Sequence, residues 1–297
     1  MSLKQRESLR RNLEGYLFIA PSYTLMFVFS ALPILFSLYI SFSDWDMISG
    51  LNNIKLTGVN NYIKMWSDVW FTQSLANNVL FMVVVVPATL VIALLMAVLI
   101  NDYVIGKDFV RLSIFLPHIT NIVAISLIWS MLYSKEGPFV YFLKLIGVQN
   151  PPNILADRVW AMPSIMLMII WMNIGYSALI YIGGLQGISK ELYEAADVDG
   201  VTWWQRLRSI TIPMLAPTTF FLLITQIINS FKVFGPIQIM TQGGPVRATT
   251  VLVYYVYTAA FQFYKFGYAS AIAMVLFIII LIITASQWRG QKRWVSY

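Results

Sequence analysis

Six long apolar stretches set the rhythm of this chain, at residues 16–42, 75–100, 112–133, 159–182, 210–231 and 266–288. Each is long enough to cross roughly 30 Å of hydrocarbon at about 1.5 Å per helical residue. Between them run short polar segments holding most of the charge. The pattern predicts an all-α fold, an integral membrane bundle of six transmembrane helices. The first stretch follows Lys4, Arg6, Arg10 and Arg11, as in a signal peptide, but it runs uncharged from Gly15 to Ser43, too long for a cleaved leader, and is read as a retained span. Pro21, Pro33, Pro87, Pro117, Pro163, Pro213 and Pro217 lie in or near five stretches, where packed neighbours can satisfy the carbonyls that proline frees.

Composition strengthens this reading: 59% of the residues are apolar, 11% charged, and the mean hydropathy is +0.71. A chain of 297 residues with this pattern has no room for a separate soluble domain, so 1–297 is expected as one membrane domain. The net charge of +7 sits at the ends and in loops, which is a topology signal and excludes a nucleic-acid stripe. Lys and Arg are denser in the tails (1–14 and 289–297) and in the second and fourth loops than in the longer alternate loops, which places both termini in the cytoplasm. Trp45, Trp66, Trp70, Trp129, Trp160, Trp288 and Trp294 fall near span ends, where amphipathic rings settle at the headgroups. The absence of cysteine excludes disulfides and thiolate sites.

Several functions drop out. No phosphate-cradling G-x-x-x-x-G-K-[ST] occurs, so the chain does not hydrolyse nucleotide itself. The cores of the six stretches hold no Asp, Glu, Lys or Arg, which argues against an ion-coupled transporter. The single histidine, His118, beside Pro117 and Thr120, reads as a packed or interfacial residue and has no catalytic or metal-binding companion, so no enzyme is expected.

The composition changes sharply over residues 183–209, a loop expected in the cytoplasm. Ser189 can cap a short helix whose first turns carry Glu191 and Glu194, Gly200 suits a left-handed stop, and Thr202 with Gln205 forms a capping box for a second helix. Leu192, Ala195 and Ala196 give the first helix a flat face rimmed by acids. That face fits a groove on another protein or rests on lipid, and its acidity disfavours an anionic membrane surface.

This segment resembles a known family. Glu194-Ala195-Ala196, three residues, Gly200, nine residues, Ile210, one residue, Ile212 and Pro213 match the EAA loop of binding-protein-dependent ABC importer permeases, E-A-A-x3-G-x9-I-x-L-P, with Ile212 in place of Leu the one departure. GLQGISKELY before it and MTQGGPVRATTVLVYYVYTAAF from Met240 to Phe261 resemble the carbohydrate-uptake branch, of maltose and glycerol-phosphate type. The resemblance implies a permease subunit of an ATP-driven sugar importer, paired with a second, similar permease. Two cytoplasmic ATPases using ATP and Mg²⁺ lie below, and an extracytoplasmic sugar-binding protein above. The chain itself is expected to hold no cofactor. Glu194, Ala195, Ala196, Asp199 and Gly200 match the positions that couple to the ATPase. Gly243, Gly244 and Pro245, with the outer loop 43–74, are expected to contact the binding protein.

A sugar needs amides, hydroxyls and aromatic faces inside the bundle. Gln226, Asn229, Ser230 and Val233 share one helical face in the fifth stretch, and Met172, Asn173 and Tyr176 one in the fourth. These amides serve either as a solute path or as glue between helices. By resemblance they correspond to stretches lining the sugar site of maltose-type permeases, Tyr176 most readily. The rival readings are an ion-coupled secondary transporter and a non-transporting membrane scaffold.

Overall fold

The computed structural model describes residues 3–294. The side chains of Lys4, Arg6, Arg10, Arg11, Lys292, Arg293 and Trp294, invoked above for topology, lie outside the described residues. In chain order the helices are α1 (Leu3–Met26), α2 (Leu32–Ser41), α3 (Asn60–Ser67), α4 (Val69–Tyr103), α5 (Lys107–Ile119), α6 (Ile122–Leu132), α7 (Pro138–Leu145) and α8 (Ala161–Gln186). There follow α9 (Lys190–Val198), α10 (Trp203–Arg206), α11 (Ile212–Met214), α12 (Ala216–Phe231), α13 (Gly235–Met240), α14 (Leu252–Tyr257) and α15 (Phe266–Trp294). Two two-residue strands, β1 (Ser43–Asp44) and β2 (Lys55–Leu56), pair antiparallel. Among the described residues five helical segments are long and apolar enough to cross a membrane, six when the bent pair α5–α6 counts as one span.

The chain divides into two compact units. The first holds the chain up to Met65 together with Val256–Val275. Its lock is polar: buried Asn61 donates to the carbonyls of Ser41 and Ser43, each at 2.9 Å, and the hydroxyls of Ser41 and Tyr62 meet at 2.7 Å. Backbone approaches backbone at Gly267, where a Cβ would lie 2.0 Å from the Ser43 carbonyl oxygen. By contrast Phe18, on α1, is 88% exposed, and its helix from Tyr16 to Met26 shows apolar side chains to all sides, as a lipid-facing span does.

The second unit, Trp66–Tyr255 with the chain from Leu276 onward, is built around α4 and α8. Val86, Leu90, Ala93 and Ala97 recur at helical spacing on α4 and bury against Ala178, Tyr181, Ile182 and Leu185 of α8 and Leu222 of α12. Small residues set the spacing, because lipid supplies no hydrophobic drive between helices and close backbone approach must do the work. Gly175 of α8 lies so near α5 that a Cβ there would sit 1.7 Å from the Ile114 carbonyl oxygen.

The third expected crossing is sharply bent. Residues 112–133 do not form one straight helix: α5 and α6 meet at 94°. Pro117 sits in the last turn of α5, Thr120 is extended (φ −76°, ψ 147°), and Asn121 caps α6 by accepting from the Val123 N–H at 2.8 Å. A proline followed by an N-cap ends one helix and starts another in a new direction. Two other prolines are absorbed differently. Pro33 and Pro213 each follow a π-helical turn, Phe27–Ala31 and Leu207–Thr211, whose wider coil takes in the carbonyl four residues before the ring.

Candidate functional site

The segment after α8 folds by its own local chemistry. The Ser189 hydroxyl accepts from the Glu191 N–H at 3.3 Å and starts α9. At its other end Gly200 takes φ +68°, its N–H donating to the Asp197 carbonyl at 3.2 Å, while the Val201 N–H reaches the Ala196 carbonyl at 3.0 Å. This paired closure is the Schellman stop. The Thr202–Gln205 capping box is formed and starts α10. The acids Glu191, Glu194 and Asp199 are exposed, as are Leu192 and Ala195.

One residue of the expected docking face is elsewhere: Ala196 is buried at 6% exposure. It shares the inward side of α9 with Tyr193, which packs on the core where α4 meets α8 and whose hydroxyl lies 3.2 Å from that of Thr211. Its place outside is taken by Val198, 88% exposed, a residue the sequence reading passed over. The outward face is therefore Leu192, Ala195 and Val198 with acids around it. Arg206 closes the inner side, pairing with Asp197 at 3.4 Å and Asp102 at 3.7 Å and lying over the Tyr193 ring at 5.6 Å.

The polar faces of α8 and α12 meet at one cavity of about 350 Å³. Met172, Asn173, Gln226, Asn229, Ser230 and Val233 all line it, with Phe81 and Val85 of α4 on its wall. Tyr176 is set behind that wall, stacked on the His118 ring at 4.6 Å and 17°. The amides divide by role. Gln226 is buried and donates to the Ser177 hydroxyl of α8 at 3.1 Å, so it holds two helices together, while the buried Ser230 hydroxyl turns back to the Ile227 carbonyl of its own helix at 2.7 Å. Asn229 is exposed on the cavity side, and Asn173 donates to the Ile169 carbonyl of its own helix at 2.9 Å. Among the lining residues missed from the sequence, two can carry charge: His118, read there as packing, and Lys232, assigned to an outer loop. The helical run resumes as α13 after a break at Lys232, and Gly235-Pro236 was the available sign of that break.

The loop after α13 is anchored on α4. Asn77 donates to the carbonyls of Arg247 and Thr250 at 3.1 and 2.8 Å, and fully buried Asn78 accepts from the Leu252 N–H at 2.7 Å while donating to the Ser230 carbonyl at 3.4 Å. Arg247 lies over the Trp70 ring at 5.2 Å, and Trp70 stacks on Tyr255 at 5.7 Å. Tyr255 in turn donates to the Asp68 carboxylate. Of the three residues expected to face a binding protein, Gly243 is buried, Gly244 and the cis-linked Pro245 are half-buried, and the exposed tip is Val246.

Comparison with known proteins places this architecture. Residues 68–291 match the family described as the inner membrane component of binding-protein-dependent transport systems. The lactose transport system permease protein LacF of Rhizobium radiobacter is 34% identical over 98% of this chain and 99% of its own. The sn-glycerol-3-phosphate transport system permease protein UgpA of Agrobacterium fabrum is 34% identical over 95% of this chain and 96% of its own. In fold, the chain superposes on a subunit of a bacterial ABC transporter for import of the acidic polysaccharide alginate with TM-score 0.86, at 22% identity, covering 99% of this chain and 100% of that one. A capped helix–turn–helix after α8, a bundle of apolar spans and full-length kinship with permeases converge: the chain belongs to the family of inner membrane components of binding-protein-dependent transport systems, as a multi-pass permease subunit of an ABC transporter.

Proposed function

We propose that this permease moves a sugar or a closely related polyol derivative inward, driven by ATP hydrolysis on a separate ATPase that seats α9 in a groove. The observation that carries this reading is the exposed apolar strip of Leu192, Ala195 and Val198, ringed by Glu191, Glu194 and Asp199, on a helix capped at both ends. A nine-residue helix with such closure presents a fixed surface at low entropic cost, which favours docking over a loose contact with lipid. The sugar assignment is supported by the lactose and glycerol-phosphate specificities named for the two relatives. The cavity has the matching chemistry: Asn173 and Asn229 for hydroxyls, Phe81 and Phe234 for ring faces.

In this reading the chain acts as a single permease domain beside a second, similar permease, with both termini in the cytoplasm and two ATPases beneath. It binds no cofactor, and ATP and Mg²⁺ stay with the ATPases. An extracytoplasmic binding protein delivers solute on the side of the loop around Val246. The test is uptake of lactose and of sn-glycerol 3-phosphate by vesicles holding the assembled transporter. Glu194→Lys is expected to abolish uptake and release the ATPase on purification while the permease still inserts. Uptake that persists without ATP and collapses with the ion gradient would sink the reading.

A further inference from the structure

Arg206 lies outside the docking surface and outside the solute cavity, yet it engages two carboxylates and a ring. Its guanidinium pairs with Asp197 near the end of α9 and with Asp102 near the end of α4, and covers the Tyr193 ring of α9. It lines a cavity of about 460 Å³ with Asp102, Asn101, Tyr193 and Thr211, closed on its apolar side by Val98, Leu185 and Leu207. A planar fork that engages two carboxylates and a ring at once fixes direction as well as distance, which an ammonium cannot do. The Arg206 and Asp102 side chains remain 23% and 30% exposed, so the pair adds little to stability. Its geometry is what the fold retains.

We propose that Arg206 is a positioning residue that ties α9 to the inner end of α4, so that a displacement of the docked helix reaches α4 as well as passing along the chain to α12. This rests on the reading of α9 as the ATPase-docking helix. The helix so engaged is a single run of 35 residues, about 52 Å at 1.5 Å per residue. Near its other end Asn77 and Asn78 hold the loop 243–252 and the Ser230 carbonyl beside the solute cavity. One helix is thereby fastened to the docking segment at one end, and to the cavity rim and outer loop at the other. Without the Arg206 link, α9 meets the bundle on its inner side chiefly through Tyr193 and Ala196.

The experiment uses the assembled transporter with its ATPases and binding protein in lipid nanodiscs, reading basal ATPase rate, the rate stimulated by solute-loaded binding protein, and ATPase co-purification. Arg206→Gln and Asp102→Asn are each expected to lower stimulation about tenfold, within the usual range of coupling between sites, with basal rate and co-purification unchanged. The double variant should be no worse than the worse single one, since both remove the same link. Arg206→Lys, which keeps the charge, should recover part of the stimulation. Full stimulation in either single variant, multiplying losses in the double one, or loss of the ATPase from Arg206→Gln would overturn the proposal. Glu194→Lys separates the two levels. If it keeps the ATPase and full stimulation, the docking reading fails; if it loses them while Arg206→Gln keeps full stimulation, only the link fails.

Discussion

Gly200 and Gly243 adopt nearly the same backbone, φ +68° and +76°, in two turns that have opposite surroundings. A Cβ on Gly200 would meet nothing within 4 Å, whereas one on Gly243 would lie 2.6 Å from the Tyr254 ring and 2.8 Å from the Thr250 hydroxyl. The first turn is held by bonds between residues at most five apart; the second adds to its own short-range bonds, from Thr249 and Thr250 back to Gly244 and Gly243, an anchor on the α4 side chain of Asn77 some 170 residues away. A turn closed by its own caps leaves its outer surface clear for another molecule. A turn filled by its own chain is part of the packing, and it offers outward only Gln242 and its tip at Val246.

The sharpest way to break this contrast is at Asn78. Asn78→Leu leaves the Leu252 N–H and the Ser230 carbonyl without their partner, at an expected loss of about 2–4 kcal/mol, read from the denaturation midpoint in detergent. Next comes Gly243→Ala, where left-handed strain and the two close contacts add, at about 2–3 kcal/mol in the same assay. Gly200→Ala carries the strain alone, about 1 kcal/mol, yet is expected to impair uptake far beyond that loss. Equal destabilisation by the two glycine variants, or normal uptake with Gly200→Ala, would erase the distinction. Smallest is Thr202→Ala, which removes the capping-box hydroxyl and should cost about 0.5–1 kcal/mol, visible as faster amide exchange confined to α10.

What was legible in the sequence follows the same division. Ser189, Gly200, Thr202 and Gln205 act through neighbours in the chain, so their caps and stop could be read directly. Ala196 was misplaced because size alone put it on the docking face; Tyr193, three residues earlier on the same side, shows that this side turns inward. The spacing of Gln226, Asn229, Ser230 and Val233 brought them to one cavity, but their division between holding helices and facing solute depends on Ser177 across the interface. The α5–α6 bend lies at Pro117, Thr120 and Asn121, and its 94° angle comes from a helix end and an N-cap acting together, which the apolar run around them does not reveal. Nothing local in Asn77 or Asn78 announces partners in the loop beyond α13, so that anchoring emerges only in three dimensions.

The π-helical turn at Leu207–Thr211 bears on how this chain tolerates insertion and deletion. A π turn is one residue more than the α-helix needs, and each helical residue turns the chain by about 100°. A chain shortened by one residue there would wind as plain α-helix and keep α12 close to its present facing, because the wider turn already absorbs that residue. A deletion in α12 itself, ahead of Gln226, has no such turn to absorb it: Gln226 would swing away from Ser177, and the polar strip through Asn229 and Val233 would face a different neighbour. The count of residues is thus a loose constraint across the π turn and a strict one between Ala216 and Gln226, where it matters as much as their identity.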